Sequence, residues 1–183
     1  SFVSQFAIPY VHGLTVGELA ALLNEEGLLE NKAKCKLTVV PMEGWTRDMY
    51  FEQTKLPWVL TSPHIPHKYS PFYYTISGII GELNGVLSIG VGYTIPFQTF
   101  ATEWINGEEL TNKMNSYNLE GVLFRPITYN PYYGFGKDKM LHGVEVYITD
   151  YNKINLIPIQ FYFVQAVNEL YGRNIISENE GRF

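Results

Sequence analysis

Gly121-Val122-Leu123-Phe124-Arg125-Pro126-Ile127-Thr128-Tyr129 and, after a gap, His142-Gly143-Val144-Glu145-Val146-Tyr147-Ile148-Thr149-Asp150 are the two runs that decide the fold. In the second, Val144, Val146 and Ile148 alternate with Glu145, Tyr147 and Thr149. That period of two puts apolar and polar side chains on opposite faces of a strand. Between the runs, residues 130–140 are rich in Tyr and Gly, so the two strands can pair as a hairpin through a long loop.

Helical patterns lie on both sides of this pair. Thr15-Val16-Gly17-Glu18 is a capping box: a hydroxyl for the exposed amides of a first turn, and a carboxylate three residues on to reach back. Behind it Leu19, Ala20, Leu22 and Leu23 form an apolar stripe. Phe72 to Leu83 carries Tyr73, Ile76, Ile79, Ile80 and Leu83 at helical spacing, despite Gly78 and Gly81. Asn106-Gly107-Glu108-Glu109-Leu110 opens a further helix that ends near Asn115 to Asn118, and Ile157 to Tyr171 is a last one, stopped at Gly172. Lys36 to Met42, Trp58 to Thr61 and Val86 to Val91 read as shorter strands. Helices and strands interleave as α-β-β-α-β-α-β-β-α, which predicts an α/β or α+β domain, a mixed sheet with helices packed on it. No repeat or composition shift marks a boundary within residues 1–183.

With 183 residues and 46% apolar side chains, the chain can bury a sizeable core. A net charge of -5 without a basic cluster argues against a nucleic-acid footprint. The lone Cys35 allows neither an intrachain disulfide nor a cysteine metal cage, and no apolar run reaches the roughly 20 residues that span a bilayer. Aromatic residues reach 15%, dominated by 14 Tyr. An apolar ring with a polar tip suits sugar stacking or a protein interface.

The functional reading centres on Pro57 to Phe97. It opens with Trp58-Val59-Leu60-Thr61-Ser62-Pro63-His64-Ile65-Pro66-His67 and closes with Ser88-Ile89-Gly90-Val91-Gly92-Tyr93-Thr94-Ile95-Pro96-Phe97. Each end is a short apolar run broken by Pro or Gly, where a strand gives way to a loop. Such loops are where binding groups sit, and the two are expected to come together as one wall of a site.

Several familiar chemistries fail on their spacing. Gly90-Val91-Gly92 lacks the third glycine and the helix start of a dinucleotide fingerprint. His64 and His67 have the spacing of a zinc pair but no third ligand, and no metal or other cofactor is expected. Ser62 lacks the glycine elbow of an exposed nucleophile, so capping of a turn is its expected task. Of the acids, Glu82, Glu103 and Asp48 alone fall near the loops, and the sequence assigns none of them as a catalytic acid. Arg47 and Arg125 carry the planar fork that suits carboxylate or phosphate, with an internal ion pair as the competing use.

Together, His12-Gly13-Leu14-Thr15-Val16-Gly17-Glu18-Leu19-Ala20, Gly44-Trp45-Thr46-Arg47, Trp58, Ser62-Pro63-His64-Ile65-Pro66, Ser88 to Phe97, Phe124-Arg125-Pro126 and His142-Gly143-Val144 resemble, in that order, the C-terminal domain of the NamZ-type peptidoglycan exo-β-N-acetylmuramidases. The resemblance spans roughly Ile8 to Leu170. It implies that the whole chain is one such domain, that a Rossmann-like N-terminal domain is its partner, and that a glycan cleft lies between the two. It also implies a peptidoglycan-derived ligand, an exported, periplasmic or cell-surface location, and Trp45, Arg47, Ser62, His64 and Tyr93 as cleft-lining residues. The chain starts at Ser1 without an initiator Met and reads as a piece of something longer. It departs from the family pattern at His64, where Asn is usual, at Leu83 to Ser88, and at Val91, where Arg is usual. Those departures define the alternative: a catalytically inactive relative that binds peptidoglycan or a protein.

Overall fold

The computed structural model describes residues 6–83 and 85–177. The chain folds as two compact units, Ser1–Pro57 and Trp58–Phe183.

The first unit holds helix α1 (Val16–Glu25) and two short 3-10 turns, Glu30–Lys32 and Phe51–Thr54. The capping box forms as the sequence predicts: Thr15 Oγ1 accepts from the Glu18 amide at 3.2 Å, and the Thr15 amide donates to Glu18 Oε2 at 2.8 Å. None of the described residues of this unit is buried, and the Leu19, Leu22, Leu23 stripe is half-buried. Residues 36–42 form no helix and pair with no strand. Alternation gives a chain its two faces, whereas a strand also needs a neighbour for its ladder, and no described segment supplies one. The run is held at its start by Asn24, whose side chain exchanges two hydrogen bonds with the Cys35 backbone, at 2.8 and 3.1 Å.

The second unit carries the sheet. Strands β1 (Thr99–Thr102), β2 (Val122–Tyr129) and β3 (Leu141–Ile148) lie in the order β1-β3-β2. Both pairings are antiparallel, with Val122 opposite Ile148 and Tyr129 opposite Leu141. The sheet is therefore wholly antiparallel where the sequence suggested a mixed one. With β2 and β3 joined as a hairpin and β1 filling the other edge, no parallel pair arises. Helices α2 (Ser70–Gly81), α3 (Gly107–Ser116) and α4 (Pro158–Tyr171) complete the unit. Asn106 caps α3 through Oδ1, and Gly172, at φ 66°, caps the end of α4.

Strand alternation divides the sheet into two unequal faces. Phe100, Val122, Phe124, Val144 and Val146 point into the main core with Ile76 and Ile80 of α2, Leu110 and Met114 of α3, and Ile159 and Phe163 of α4. Phe100 and Phe163 stack with centroids 4.5 Å apart. The opposite face holds a smaller cluster of Ala101, Tyr129 and Leu141, on which Ile127 of β2 and, from the loops, Tyr93 and Phe135 pack.

Two further expected strands are not formed. Residues 58–61 are unpaired, and 86–91 contribute only the bridge from Ser88 to Ala101. Gly90 at φ 86° turns the chain away after that single rung. In its place stands β1, a four-residue strand buried at every position, which offers no alternation for a sequence to show. Gly81 faces the side chain of Ile89, while α2 is joined to α4 by the buried Gln160. Its Oε1 accepts from the Ile80 amide at 3.1 Å and its Nε2 donates to the Thr75 carbonyl at 3.3 Å.

Candidate functional site

The proline loop is built as a tight turn. The Ile65 amide donates to the Ser62 carbonyl at 2.9 Å, and Ser62 Oγ accepts from the His64 amide at 3.3 Å. Ser62 thus caps the turn from within. His64 is left projecting, its Nε2 2.7 Å from the Tyr133 hydroxyl and its ring stacked on the Tyr133 ring.

The glycine–tyrosine loop is held by main-chain contacts that only glycine permits. At Gly92, with φ 93°, a Cβ would fall well inside 3.0 Å of the Tyr133 carbonyl oxygen, an approach no side chain tolerates. Beside it the Tyr132 amide donates to the Gly92 carbonyl at 2.7 Å. Tyr93 lies between two other tyrosines, 4.6 Å from the Tyr129 ring and 5.9 Å from that of Tyr132.

Beneath the loop a buried hydroxyl network fixes its root. Tyr129 Oη donates to Ser88 Oγ at 2.8 Å and lies 2.8 Å from Thr99 Oγ1, while Ser88 Oγ accepts from the Gly90 amide at 3.2 Å. Burial pushes the Tyr129 phenol up, against the opposing pull of its hydrogen bonds with Ser88 and Thr99. The phenol therefore remains protonated and available as a donor.

Ser62, His64 and Tyr93 are thus gathered on one side of the second unit. They meet through a third loop, 130–140, which the sequence marked as Tyr- and Gly-rich without assigning it to the site. Tyr132 and Tyr133 are 70% and 50% exposed, and together with Tyr93 and His64 they present an open aromatic surface with hydroxyl tips. The signal for them was the Tyr132-Tyr133-Gly134 string itself. What the string lacked was any indication that Gly92 would receive it.

Trp45 and Arg47 lie in the first unit and pair with each other, the guanidinium carbon 5.5 Å from the indole centroid. The Arg47 fork is engaged within that unit. NH2 donates to Glu18 Oε1 at 2.6 Å, NH1 donates to Glu18 Oε2 at 3.2 Å, and NH1 also donates to the Gly13 carbonyl. The Arg47 hydrogen bond, then the Thr15 amide, hold the Glu18 carboxyl down at about 2. Arg125 makes the internal pair that competed with a binding role: Nε and NH2 both donate to Oε2 of Glu145, directly across from it on β3, at 2.9 and 2.7 Å. Among the acids near the loops, Glu103 pairs with Lys139 at 2.6 Å, and Asp48 is lowered by hydrogen bonding to Thr46.

The family model described as exo-beta-N-acetylmuramidase NamZ, C-terminal, matches residues 72–182, and its N-terminal counterpart matches residues 1–69. The sequence reading assigned the whole chain to the C-terminal domain. The two family models instead meet inside it, not far beyond Pro57, where the chain divides into its two units. Across all 183 residues the chain is 36% identical to peptidoglycan beta-N-acetylmuramidase NamZ of Bacillus subtilis, covering 43% of that protein. The crystal structure of a DUF1343 family protein, BF0371 of Bacteroides fragilis, superposes with a TM-score of 0.90 at 51% identity, over 100% of this chain and 47% of that one. A second, BF0379 of the same organism, shares the fold at a TM-score of 0.66 and 23% identity, over 93% of this chain and 44% of that one. The chain therefore spans less than half the length of these relatives.

Proposed function

The chain belongs to the NamZ exo-β-N-acetylmuramidase family, and from that premise we propose that it forms part of a cell-wall glycosidase-like protein whose second unit provides one wall of a glycan-binding cleft. The supporting observation is the joining of three loops into a single aromatic surface: Gly92 seated against the Tyr133 carbonyl, and His64 hydrogen-bonded to the Tyr133 hydroxyl. Sugar rings offer patches of C–H that pack on tyrosine faces, and hydroxyls that phenols and an imidazole can bond. In this reading Tyr132 and Tyr133 stack the sugar, Tyr93 holds the Tyr132 ring in place from beneath, and His64 and Ser62 fix the sugar's polar edge. Trp45 and Arg47, stacked on each other, offer a similar surface on the first unit.

The roles on this wall are binding roles. None of its named residues is an acid, whereas glycosidic cleavage requires a carboxyl to protonate the leaving oxygen. The general acid belongs in this proposal to the remainder of the N-terminal domain. The exposed apolar residues of the first unit, Val16 at 86% and Val40 at 85%, supply surface on which such a partner packs. In this proposal the peptidoglycan-derived ligand is met outside the cytoplasm, in the periplasm or at the cell surface.

Release of the aglycone from a chromogenic β-N-acetylmuramide by the full-length protein tests this directly. Tyr93→Ala is expected to raise KM at least tenfold, and unchanged kinetics would remove the wall from the site. A second reading, a non-catalytic binding module, is favoured by the aromatic and hydroxyl chemistry of Tyr93, Tyr132, Tyr133 and Ser62. Retention on insoluble peptidoglycan without any hydrolysis is the result that selects it.

A further inference from the structure

A hollow of the second unit lies away from the tyrosine wall. It has a volume of about 560 Å³ and is lined by Ile105, Asn106, Glu108, Pro126, Thr128 and His142, among others. Thr128 and His142 are directly opposed on β2 and β3, and alternation puts them on the helix-covered face of the sheet. Tyr129 and Leu141, one residue away on each strand, face the loops instead. The hollow and the wall therefore lie on opposite faces of one sheet.

Its shape follows from glycines. A Cβ on Gly107 would stand 2.8 Å from the Gly143 carbonyl, so the first turn of α3 presses directly on β3 and leaves an open space beside the strand ends. The floor is apolar, from Ile105 and Pro126. The rim is polar and fixed: Thr128 Oγ1 lies 2.9 Å from His142 Nδ1, which sets the imidazole plane. Among the described residues neither His142 Nε2 nor the Glu108 carboxylate has a protein hydrogen-bond partner.

The chemistry of the rim selects a neutral, hydroxyl-rich ligand. An anion would find the Glu108 and Glu109 amides already taken by Asn106 Oδ1, at 3.1 and 3.2 Å, and only the Gly107 amide beside them. It would also meet the charges of Glu108 and Glu109. A carboxylate and an imidazole on one rim instead accept from and donate to adjacent hydroxyls, above an apolar floor that suits a pyranose face.

We infer that this hollow is a second saccharide-binding site, taking a neutral N-acetylhexosamine unit of the same glycan on the face of the sheet away from the tyrosine wall. The inference rests on the glycan reading of the wall, and its test separates the two. The full chain, labelled with 15N, is titrated with N-acetylglucosamine and its β-1,4-linked dimer. Shifts at the Glu108, Thr128 and His142 amides, with binding weakened at least tenfold by Glu108→Gln or His142→Gln and unaffected by Tyr93→Ala, are expected. Both variants leave Asn106 and the main core intact, and retained amide dispersion checks their fold. Shifts confined to residues 62–67, 90–97 and 130–140 would overturn the second site and leave the wall. No shifts anywhere would overturn both. Inorganic phosphate moving the same amides in place of the sugars would overturn the assignment of a neutral ligand.

Discussion

Replacing Gly92 with alanine tests the joint on which the wall depends. The methyl group would lie well inside 3.0 Å of the Tyr133 carbonyl oxygen, and neither side of that contact is a side chain that could rotate away. The backbone at φ 93° is also strained for any L-residue, at about 1–3 kcal/mol. If the loops separate to relieve the clash, the Tyr132 amide loses its 2.7 Å bond to the Gly92 carbonyl, about 1 kcal/mol net. The Tyr93–Tyr132 stack goes with it, about another 0.5–1 kcal/mol. The sum is about 2.5–5 kcal/mol. Gly134→Ala is the control, because Gly134 has a similar φ of 77° but its Cβ would come no closer than 3.9 Å to any neighbour, the Val91 carbonyl oxygen. It carries the strain without the collision. Urea unfolding of both variants, read by tyrosine fluorescence, should show Gly92→Ala less stable than Gly134→Ala by at least about 1.5 kcal/mol. Equal losses would show that the loops are not locked through their main chains.

Tyr129→Phe keeps the ring under Tyr93 but removes the hydroxyl shared by Ser88 and Thr99, which are 3% and 0% exposed; a loss of about 1–3 kcal/mol is expected, and a change below about 0.5 kcal/mol by urea unfolding would refute the network. Glu18 has a folded pKa of about 2 against a reference of 4.5, so its contribution is present above pH 4.5 and is lost as pH falls toward 2. The protection factors of the amides at the start of α1, taken against their intrinsic exchange rates, should therefore fall across that window, and Glu18→Gln should flatten the profile; an unchanged profile would refute the pairing with Arg47. Arg125→Met leaves the Glu145 carboxylate, 8% exposed, without its two N–H donors. Because Arg125 is itself 60% exposed, the expected cost is only about 1–2 kcal/mol, and adding Glu145→Gln should return part of it; strictly additive losses would show the pair to be uncoupled.

Local signals carried most of the helical architecture. The capping box at Thr15, the stop at Gly172 and the spacing of Ile76, Ile79, Ile80 and Leu83 each rest on neighbours within a turn or two. The β2–β3 pair was legible because Val144, Val146 and Ile148 alternate. Strand β1 was not, since all four of its residues are enclosed and nothing alternates. Residues 36–42 show the converse: alternation without a partner makes no strand. The site was legible to the same degree. The breakers at Pro63, Pro66, Gly90 and Gly92 marked the loops, and Ser62 took the turn-capping task expected of it. That Tyr132 and Tyr133 would complete the wall depends on contacts between residues some forty to seventy positions apart, which no local pattern encodes. The engagement of Arg47 by Glu18 is of the same kind, for the capping carboxylate reaches beyond its own helix.

The three loops of the wall are fastened mostly by peptide groups, with their aromatic side chains turned outward. Rims of this kind can be rewritten at 64, 93, 132 and 133 while the bracket that aligns them stays in place. Under the proposed glycan reading, substitutions at these positions would change the sugar bound without rebuilding the sheet. For a protein engineer, the tyrosine positions are the dials, and Gly92 is the bolt to leave untouched.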